Sequence, residues 1–202
     1  MSSLKMKSLG IMSEWHNNQM KANSCILIKP TCHRDHRGFF AETYSRKKYL
    51  EYGIDIEFVQ DNRSISKEVG TIRGLHFQAP PNAQAKLVRC GRGALFDVTV
   101  DIRRGSPTYG KWESFELTAE NGYQLYVPIG FAHGFITLEP DSEIVYKCTD
   151  YYAPETEASV LWNDPDIRIH WPKLDKPILS DKDAVAPMLK DFESPFIYGV
   201  NS

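Results

Sequence analysis

The chain has 202 residues, with 24 lysines and arginines against 26 aspartates and glutamates, and so carries a formal charge of -2. Hydrophobic residues make up 42% and charged residues 25% of the chain, which is ordinary globular usage and excludes wholesale disorder. The near-neutral charge argues against a surface that binds a nucleic acid polymer, because such surfaces carry net positive charge. Binding of a small anionic ligand is not excluded, because positive charges gathered in a pocket can be offset in the net charge by negative charges elsewhere.

Residues 1–24 are polar and aperiodic, and we expect them to form an N-terminal extension. They lack the apolar stretch of about 7–15 residues that a signal peptide requires. No run in the chain approaches the length of a membrane span. The four cysteines form no CxxC pair, which is typical of isolated reduced thiols. These features predict a cytoplasmic protein that does not bind a membrane.

Short apolar runs broken by Gly, Pro and Asn follow the extension, a texture typical of β-strands. Residues 94–102 alternate with period two and predict a half-buried strand, in which Asp97 and Asp101 lie on the polar face. Segments 112–119 and 123–127 also alternate. The Asn-Gly pair between them, at positions 121 and 122, predicts a β-hairpin.

The remaining predicted strands span 25–28, 39–44, 56–60, 70–78, 86–90, 133–138 and 142–149. Helical periodicity is confined to Arg46–Tyr52 and Asp181–Lys190. Many short strands with regular turns predict an all-β fold, a jelly-roll sandwich or barrel with short peripheral helices. We expect one domain over residues 25–190, which includes a C-terminal helical and loop segment, and a C-terminal tail over residues 191–202.

Two histidines lie in segments that could carry chemistry. Strand alternation places His76 and Arg73 on opposite faces, unless Gly74 hosts a β-bulge that re-aims the arginine. A lone strand histidine is more often structural, although histidine is a natural base near neutral pH. His133 ends a Pro-x-Gly-x-x-His pattern that resembles the second motif of cupin barrels.

Metal-binding cupins supply His-x-His and a Glu from their first motif. The matching place here reads His76-Phe77-Gln78, so the second histidine and the Glu are missing. A stable site for a first-row metal takes about three or four nitrogen or oxygen ligands, and these motifs offer at most His76 and His133. The sequence therefore predicts no catalytic metal.

A series of motifs occurs in order over roughly residues 25–190. They are Arg37-Gly-Phe-Phe, Phe58-Val-Gln-Asp-Asn62, Arg73-Gly-Leu-His-Phe-Gln, Lys86-Leu-Val-Arg, Phe96-Asp-Val-Thr-Val-Asp-Ile-Arg103, Ser106-Pro-Thr-Tyr-Gly-Lys-Trp112, Pro128-Ile-Gly-Phe-Ala-His-Gly-Phe135, Tyr146-Lys, Thr149-Asp-Tyr-Tyr152 and Trp162-Asn-Asp-Pro-Asp166. Together they closely resemble the dTDP-4-dehydrorhamnose 3,5-epimerase family, whose members are sugar-nucleotide epimerases on a metal-free, cupin-like jelly roll.

The resemblance implies both a reaction and its residues. The family substrate is a dTDP-linked 4-keto-6-deoxyhexose, in which C3 and C5 are inverted without a cofactor. Each inversion removes a proton alpha to the C4 ketone and returns one to the opposite face. By resemblance, His76 is the base and Asp183 its carboxylate partner. Tyr146 is the proton donor, and Lys86 stabilises the charge that develops on the C4 oxygen.

The resemblance also implies a set of substrate contacts and a homodimer. The contacts are Arg37, Glu42, Gln60, Asn62, Arg73, His133, Tyr152, Glu157 and Lys182. Among these, Tyr152 matches an aromatic residue that stacks on the thymine. The family strand that carries the equivalents of Arg37 and Glu42 crosses to the partner subunit, so composite sites are expected.

The chain departs from the family pattern at four positions. Phe77 stands where Tyr is frequent, Ala85 where Gly is frequent, Ile129 where Glu is common and Arg63 where His is common. None of these changes removes a reacting group. Three other functions stay open: an epimerase of C3 or C5 alone on a related 4-keto sugar nucleotide, a metal-dependent cupin enzyme, and a non-catalytic jelly roll that binds a nucleotide sugar.

Overall fold

The computed structural model describes residues 24–173 and 176–200, in which β-strands predominate. The strands are β1 (Ile26–Ile28), β2 (Cys32–Asp35), β3 (Gly38–Ala41), β4 (Gln60–Ser66), β5 (Ile72–Gln78), β6 (Lys86–Arg92), β7 (Ala94–Asp101), β8 (Trp112–Thr118), β9 (Gln124–Val127), β10 (Phe131–Thr137), β11 (Ser142–Cys148) and β12 (Glu157–Ser159). The helices are short: α1 (Arg46–Glu51), α2 (Asp181–Ala184) and a 3-10 turn (Leu189–Asp191). The predicted all-β class with short peripheral helices is confirmed.

Two five-stranded sheets pack face to face. Their strand orders are β1-β9-β6-β11-β4 and β12-β5-β10-β7-β8, and β2 and β3 form a separate hairpin. Four antiparallel pairs are nested in sequence, as if one long hairpin had been folded over. They are β7 with β8, β6 with β9, β5 with β10 and β4 with β11. This nesting is the jelly-roll arrangement that the strand pattern predicts.

A buried carboxylate ties together the tip of this long hairpin, between β7 and β8. Asp101 is 1% exposed and accepts hydrogen bonds from Arg103 Nη2 at 2.7 Å and from the hydroxyls of Ser106 and Thr108, both at 2.6 Å. Burial alone would raise the pKa of Asp101, but these bonds outweigh it and hold the pKa below its ordinary value. The connection is therefore closed around an ionised carboxylate.

Three apolar layers flank and fill the two sheets. The inner layer lies between the sheets and includes Val88, Leu95 and Phe135. The second layer lies between the β5-β10-β7 face and the C-terminal segment, whose Phe196 is buried there. The third layer packs the segment around α1, including Tyr49, on the outer face of the other sheet. Each sheet is thus covered on both faces, at least in part.

The prediction of a half-buried strand at 94–102 is wrong, because β7 is buried on both faces. Val98 and Val100 pack against the C-terminal segment. Leu95 packs between the two sheets, and alternation places Asp97 on the same face. The second face of β7 is therefore buried between the sheets, where it carries Leu95 as well as Asp97, and a carboxylate buried there needs a partner.

The prediction of a hairpin at Asn121-Gly122 is also wrong, because β8 and β9 lie in different sheets. The side-chain oxygen of Asn121 accepts hydrogen bonds from the backbone N–H groups of Thr118 and Tyr123, at 3.1 and 2.9 Å. These bonds hold a corner at which the chain changes sheets. The turn residues are those of a hairpin, but the connection is not one.

Other element boundaries differ from the predictions. The strand expected at 56–60 begins only at its last residue, as β4, and β2 and β12 were not predicted. The helix expected over 181–190 ends at Ala184, because Pro187 lacks an N–H and disfavours helical geometry in the residue before it. Within the described residues, no helix has the length and apolar character to span a bilayer.

The domain boundaries were predicted at residues 24 and 190. The expected extension over residues 1–24 lies, apart from Ser24, outside the described residues. The boundary at residue 190 stays a prediction. Beyond it, Phe192 and Phe196 contact the layer that covers β5 and β7.

Candidate active site

A pocket of about 430 Å³ is lined by strands of both sheets and by the segment around α2. It contains the four residues predicted to be catalytic, His76, Lys86, Tyr146 and Asp183. Four of the predicted substrate contacts also line it. They are Arg73, His133, Glu157 and Lys182. Residues that are distant in sequence thus meet in one cavity.

A β-bulge in β5 turns Arg73 and His76 toward the same pocket. His76 pairs with His133 on β10, whereas Arg73 pairs with Phe135, so β5 carries an extra residue between these two pairs. Gly74 lies in this bulge with φ +128°, and a Cβ there would lie 2.6 Å from the Cα of Gly134. The bulge that the sequence left open is confirmed, and it explains how Arg73 escapes strict alternation.

His76 is held by a carboxylate from the C-terminal segment. Its Nε2 lies 2.6 Å from Oδ1 of Asp183, on α2. The segment before α2 lies beside β5 because the backbone N–H of Ile72 donates to the carbonyl of Ile178. Burial acts to raise the pKa of Asp183, but the bond from His76 and other hydrogen bonds outweigh it and lower the pKa. An ionised Asp183 at Nε2 leaves the Nδ1 atom of His76 for a ligand.

Lys86 and Tyr146 reach the pocket from the other sheet, on β6 and β11. The Lys86 Nζ atom lies 5.9 Å from the centre of the Tyr146 ring. Burial lowers the pKa of Lys86 and raises the pKa of Tyr146. The phenol is therefore protonated at neutral pH, which the predicted role of proton donor requires.

A second histidine–carboxylate pair, which was not predicted, lies beside the first. His133 Nε2 lies 2.9 and 3.0 Å from the two carboxylate oxygens of Asp97. Asp97 was missed because the polar face of β7 was interpreted as facing solvent. The available signal was the alternation itself, since it places a carboxylate on an interior strand.

A polar network extends outward from the pocket through Glu157. Its carboxylate is 2.6 Å from the Lys182 ammonium and accepts a bond from the Tyr152 hydroxyl at 3.1 Å. Gln60 accepts from the backbone N–H of Tyr152 at 3.0 Å and donates to the side chain of Asn62, also at 3.0 Å. The Tyr152 ring is 56% exposed, so it is available to an aromatic ligand.

Five predicted substrate contacts do not line the pocket. Gln60, Asn62 and Tyr152 belong to the network just described, whereas Arg37 and Glu42 are paired elsewhere. Arg37 forms an ion pair of 2.6 Å with Asp35 on the β2-β3 hairpin, and Glu42 forms one of 2.8 Å with Lys48. Within a single chain, these two side chains therefore contribute nothing to the pocket walls.

The pocket side chains that could bind a metal, its histidines and carboxylates, occur in pairs. Each pocket histidine contacts one carboxylate, Asp183 for His76 and Asp97 for His133. Across residues 24–173 and 176–200, no three His, Cys, Asp or Glu side chains are grouped so that they could hold a metal ion.

Comparisons with known proteins point in one direction. The family model for dTDP-4-dehydrorhamnose 3,5-epimerase matches residues 19–191. A protein of that name from Sinorhizobium fredii is 53% identical over 187 residues, which span 93% of this chain and 96% of that protein.

Two solved structures are also similar. The dTDP-4-dehydrorhamnose 3,5-epimerase of Bacillus anthracis, with TDP and PPi bound, has a TM-score of 0.80 and 48% identity over 83% of this chain and 95% of that one. The 3,5-epimerase of Legionella pneumophila, in complex with dTDP-4-keto-L-rhamnose, has a TM-score of 0.79 and 47% identity over 82% and 88% of the two chains.

Proposed function

Because the chain belongs to the dTDP-4-dehydrorhamnose 3,5-epimerase family, we propose that its pocket inverts C3 and C5 of dTDP-4-dehydro-6-deoxy-D-glucose to give dTDP-4-dehydro-L-rhamnose. The protein is an isomerase of sugar nucleotides. The observation that carries the assignment of residues is the meeting of His76, Asp183, Lys86 and Tyr146 in one pocket.

His76 serves as the base. The protons on C3 and C5 are both alpha to the C4 ketone, so removal of either one gives an enolate. Nδ1 of His76 accepts the proton while Nε2 stays bonded to Asp183. The ionised carboxylate holds the ring in one orientation and stabilises the imidazolium that forms.

Lys86 and Tyr146 complete the reaction. The Lys86 ammonium stabilises the negative charge that develops on the C4 oxygen. Because this charge is absent in the ground state, the stabilisation favours the transition state. Tyr146 returns a proton to the carbon. His76 lies on β5 and Tyr146 on β11, in opposing sheets, so the two groups approach a bound sugar from opposite sides. Inversion requires this arrangement.

The nucleotide is held by groups around the pocket mouth. Arg73 and Lys182 line the pocket, and their positive charges suit the diphosphate oxygens. The exposed ring of Tyr152 stacks on the thymine. Glu157, Gln60 and Asn62 fix that ring and the neighbouring backbone through the hydrogen bonds described above.

Exchange with deuterated water tests the reaction. The protein is incubated with dTDP-4-dehydro-6-deoxy-D-glucose in deuterated water, and the product is analysed by NMR and mass spectrometry. We expect deuterium at both C3 and C5. Deuterium at one carbon identifies a single-carbon epimerase, and deuterium at neither overturns the proposal. Loss of exchange on treatment with a chelator favours a metal-dependent enzyme instead.

The proposal includes a homodimer in which the β2-β3 hairpin reaches the pocket of the partner. Phe39 and Phe40 on this hairpin are 57% and 69% exposed. Large apolar side chains grouped on a surface are typical of an interface. The neighbouring Arg37 lies outside the pocket of its own chain, and crossing would bring it to the pocket of the partner.

Mixing two inactive variants tests this crossing. Arg37→Ala damages only the hairpin, and His76→Ala damages only the pocket. If the hairpin crosses, a mixed dimer contains one pocket with an intact His76 and an intact Arg37. Random assortment then restores about a quarter of the wild-type activity. Each variant alone, unfolded and refolded in the same way, is the control. A mixture no more active than its components shows that the hairpin acts within its own chain.

We also propose a cytoplasmic location, supported by the cysteines. All four carry free thiols. Cys90 and Cys148 are buried and so protected from oxidation, whereas Cys25 and Cys32 are partly exposed and are free nonetheless. Free thiols throughout a chain are typical of a reducing compartment.

A further inference from the structure

Asp97 is a buried carboxylate to which the proposed reaction assigns no step. Its side chain is 0% exposed, and it touches the pocket through His133. Its place follows from strand register, since His133 on β10 pairs with Thr99 on β7. Asp97 lies two residues from Thr99 and therefore on the same face. Burying an ionised group without a partner is strongly unfavourable, so the position of this carboxylate calls for a reason.

We propose that Asp97 is a positioning residue for the epimerisation, with a carboxylate that orients His133 and supplies the negative charge that keeps Lys86 protonated. This inference rests on the proposed function of the same pocket. It adds a residue that touches neither the sugar nor the reacting atoms.

The first part of the role is orientation. Both oxygens of Asp97 accept from His133 Nε2, at 2.9 and 3.0 Å, so Nδ1 is the nitrogen left to face the pocket. His133 lies directly opposite His76 in the strand register, and His76 is also bonded through Nε2. The two rings therefore lie side by side, and each is fixed by a carboxylate at the same atom.

The second part of the role is charge. Burial lowers the pKa of Lys86, and the groups that act against burial are Cys148 on β11, Glu157 on β12 and Asp97 on β7. Tyr146 on β11 also faces Lys86, as a neutral phenol. Burial raises the pKa of Cys148, so its thiol is uncharged at neutral pH.

Glu157 and Asp97 then remain as the two carboxyl groups that act to raise the pKa of Lys86. Glu157 is already engaged by the Lys182 ammonium at 2.6 Å. The carboxylate of Asp97 contacts the His133 imidazole. Burial raises the pKa of Asp97, and His133 and Lys86 both act against that rise. Carboxylate and ammonium therefore favour the charged form of each other.

Asp97→Asn tests the charge while it preserves size and an oxygen that accepts from His133. Removing the negative charge makes the loss of a proton from Lys86 easier. We therefore expect the ¹³Cε resonance of Lys86, assigned with Lys86→Arg, to titrate at lower pH than in the wild type. The alkaline limb of the kcat/KM profile should move the same way. We expect kcat/KM at neutral pH to fall about 10-fold, because a hydrogen bond to a neutral amide oxygen replaces a stronger one to a carboxylate.

Asp183→Asn is the matched control, because its carboxylate contacts His76 and is not among the groups that act on Lys86. It should slow the reaction but leave the Lys86 titration at the wild-type pH. An unchanged titration in Asp97→Asn overturns the inference. That result leaves the epimerase function intact, which deuterium exchange tests separately.

A measurement on the wild-type protein covers the case in which Asp97→Asn does not fold. The ¹³C carboxyl resonance of Asp97 should report an ionised group at neutral pH. A protonated Asp97 carries no charge to offer Lys86 and overturns the inference without any variant.

Discussion

His76→Ala is expected to slow epimerisation by about 10²–10⁴-fold, the usual contribution of a general base. The neighbouring His133 does not replace it, because its ring is fixed by Asp97 on another strand. Asp183 is left without its partner, and its low pKa makes the carboxylate a weaker base than an imidazole. Product formation followed by NMR at saturating substrate measures the loss. Deuterium incorporation at C3 and C5 should fall with it.

His170→Ala is the control for this substitution. His170 is exposed and packs on Trp112, outside the pocket, so its loss should leave the rate unchanged. Thermal unfolding of both variants shows whether the fold is retained. Near-normal turnover in a folded His76→Ala protein would remove His76 from the role of base.

Gly74→Ala is expected to destabilise the protein by about 3–5 kcal/mol, enough to abolish much of the folded state. The new Cβ would lie 2.6 Å from Gly134 Cα and 2.8 Å from the carbonyl oxygen of His133, both backbone atoms. The φ of +128° adds strain for any residue with a side chain. Urea unfolding at equilibrium measures the change.

Gly38→Ala separates these two causes. Gly38 has a similar φ of +133°, but a Cβ at this position would have nothing of its own chain within 4 Å, so within one chain only the strain applies. We expect this variant to lose about 1–3 kcal/mol. Equal losses in the two variants would show that the close approach of β5 and β10 is not what limits position 74. A larger loss at Gly74 ties the packing of these strands to the alignment of His76 and His133.

Local patterns predicted most of the strands from β5 to β11, because each is a short alternating or apolar run bounded by turn residues. They did not predict what each face contacts. The alternation in β7 has the same appearance whether the polar face meets water or the interior of a jelly roll. Asp97 was lost from the predicted site for this reason.

Local sequence predicted where the strands lie better than it predicted which strands pair. Asn121-Gly122 has the composition of a hairpin turn, but whether two neighbouring strands pair is decided by the sheets they join. The contact of Asp183 with His76 could not be predicted from local sequence either, because a short polar segment does not indicate which strand it packs against. Family resemblance supplied the site, and the bulge at Gly74 explains how alternation alone misplaces Arg73.

The nested pairing of the strands has a consequence for how the chain folds. Val100 pairs with Trp112, close in sequence, whereas Gln60 pairs with Cys148. The entropy lost on closing a loop grows with its length, so zipping from the tip held by Asp101 brings each outer pair of strands together in turn. Asp183 follows all twelve described strands in the chain. A nascent chain on the ribosome can therefore form the contact between His76 and Asp183 only after all of these strands have been synthesised.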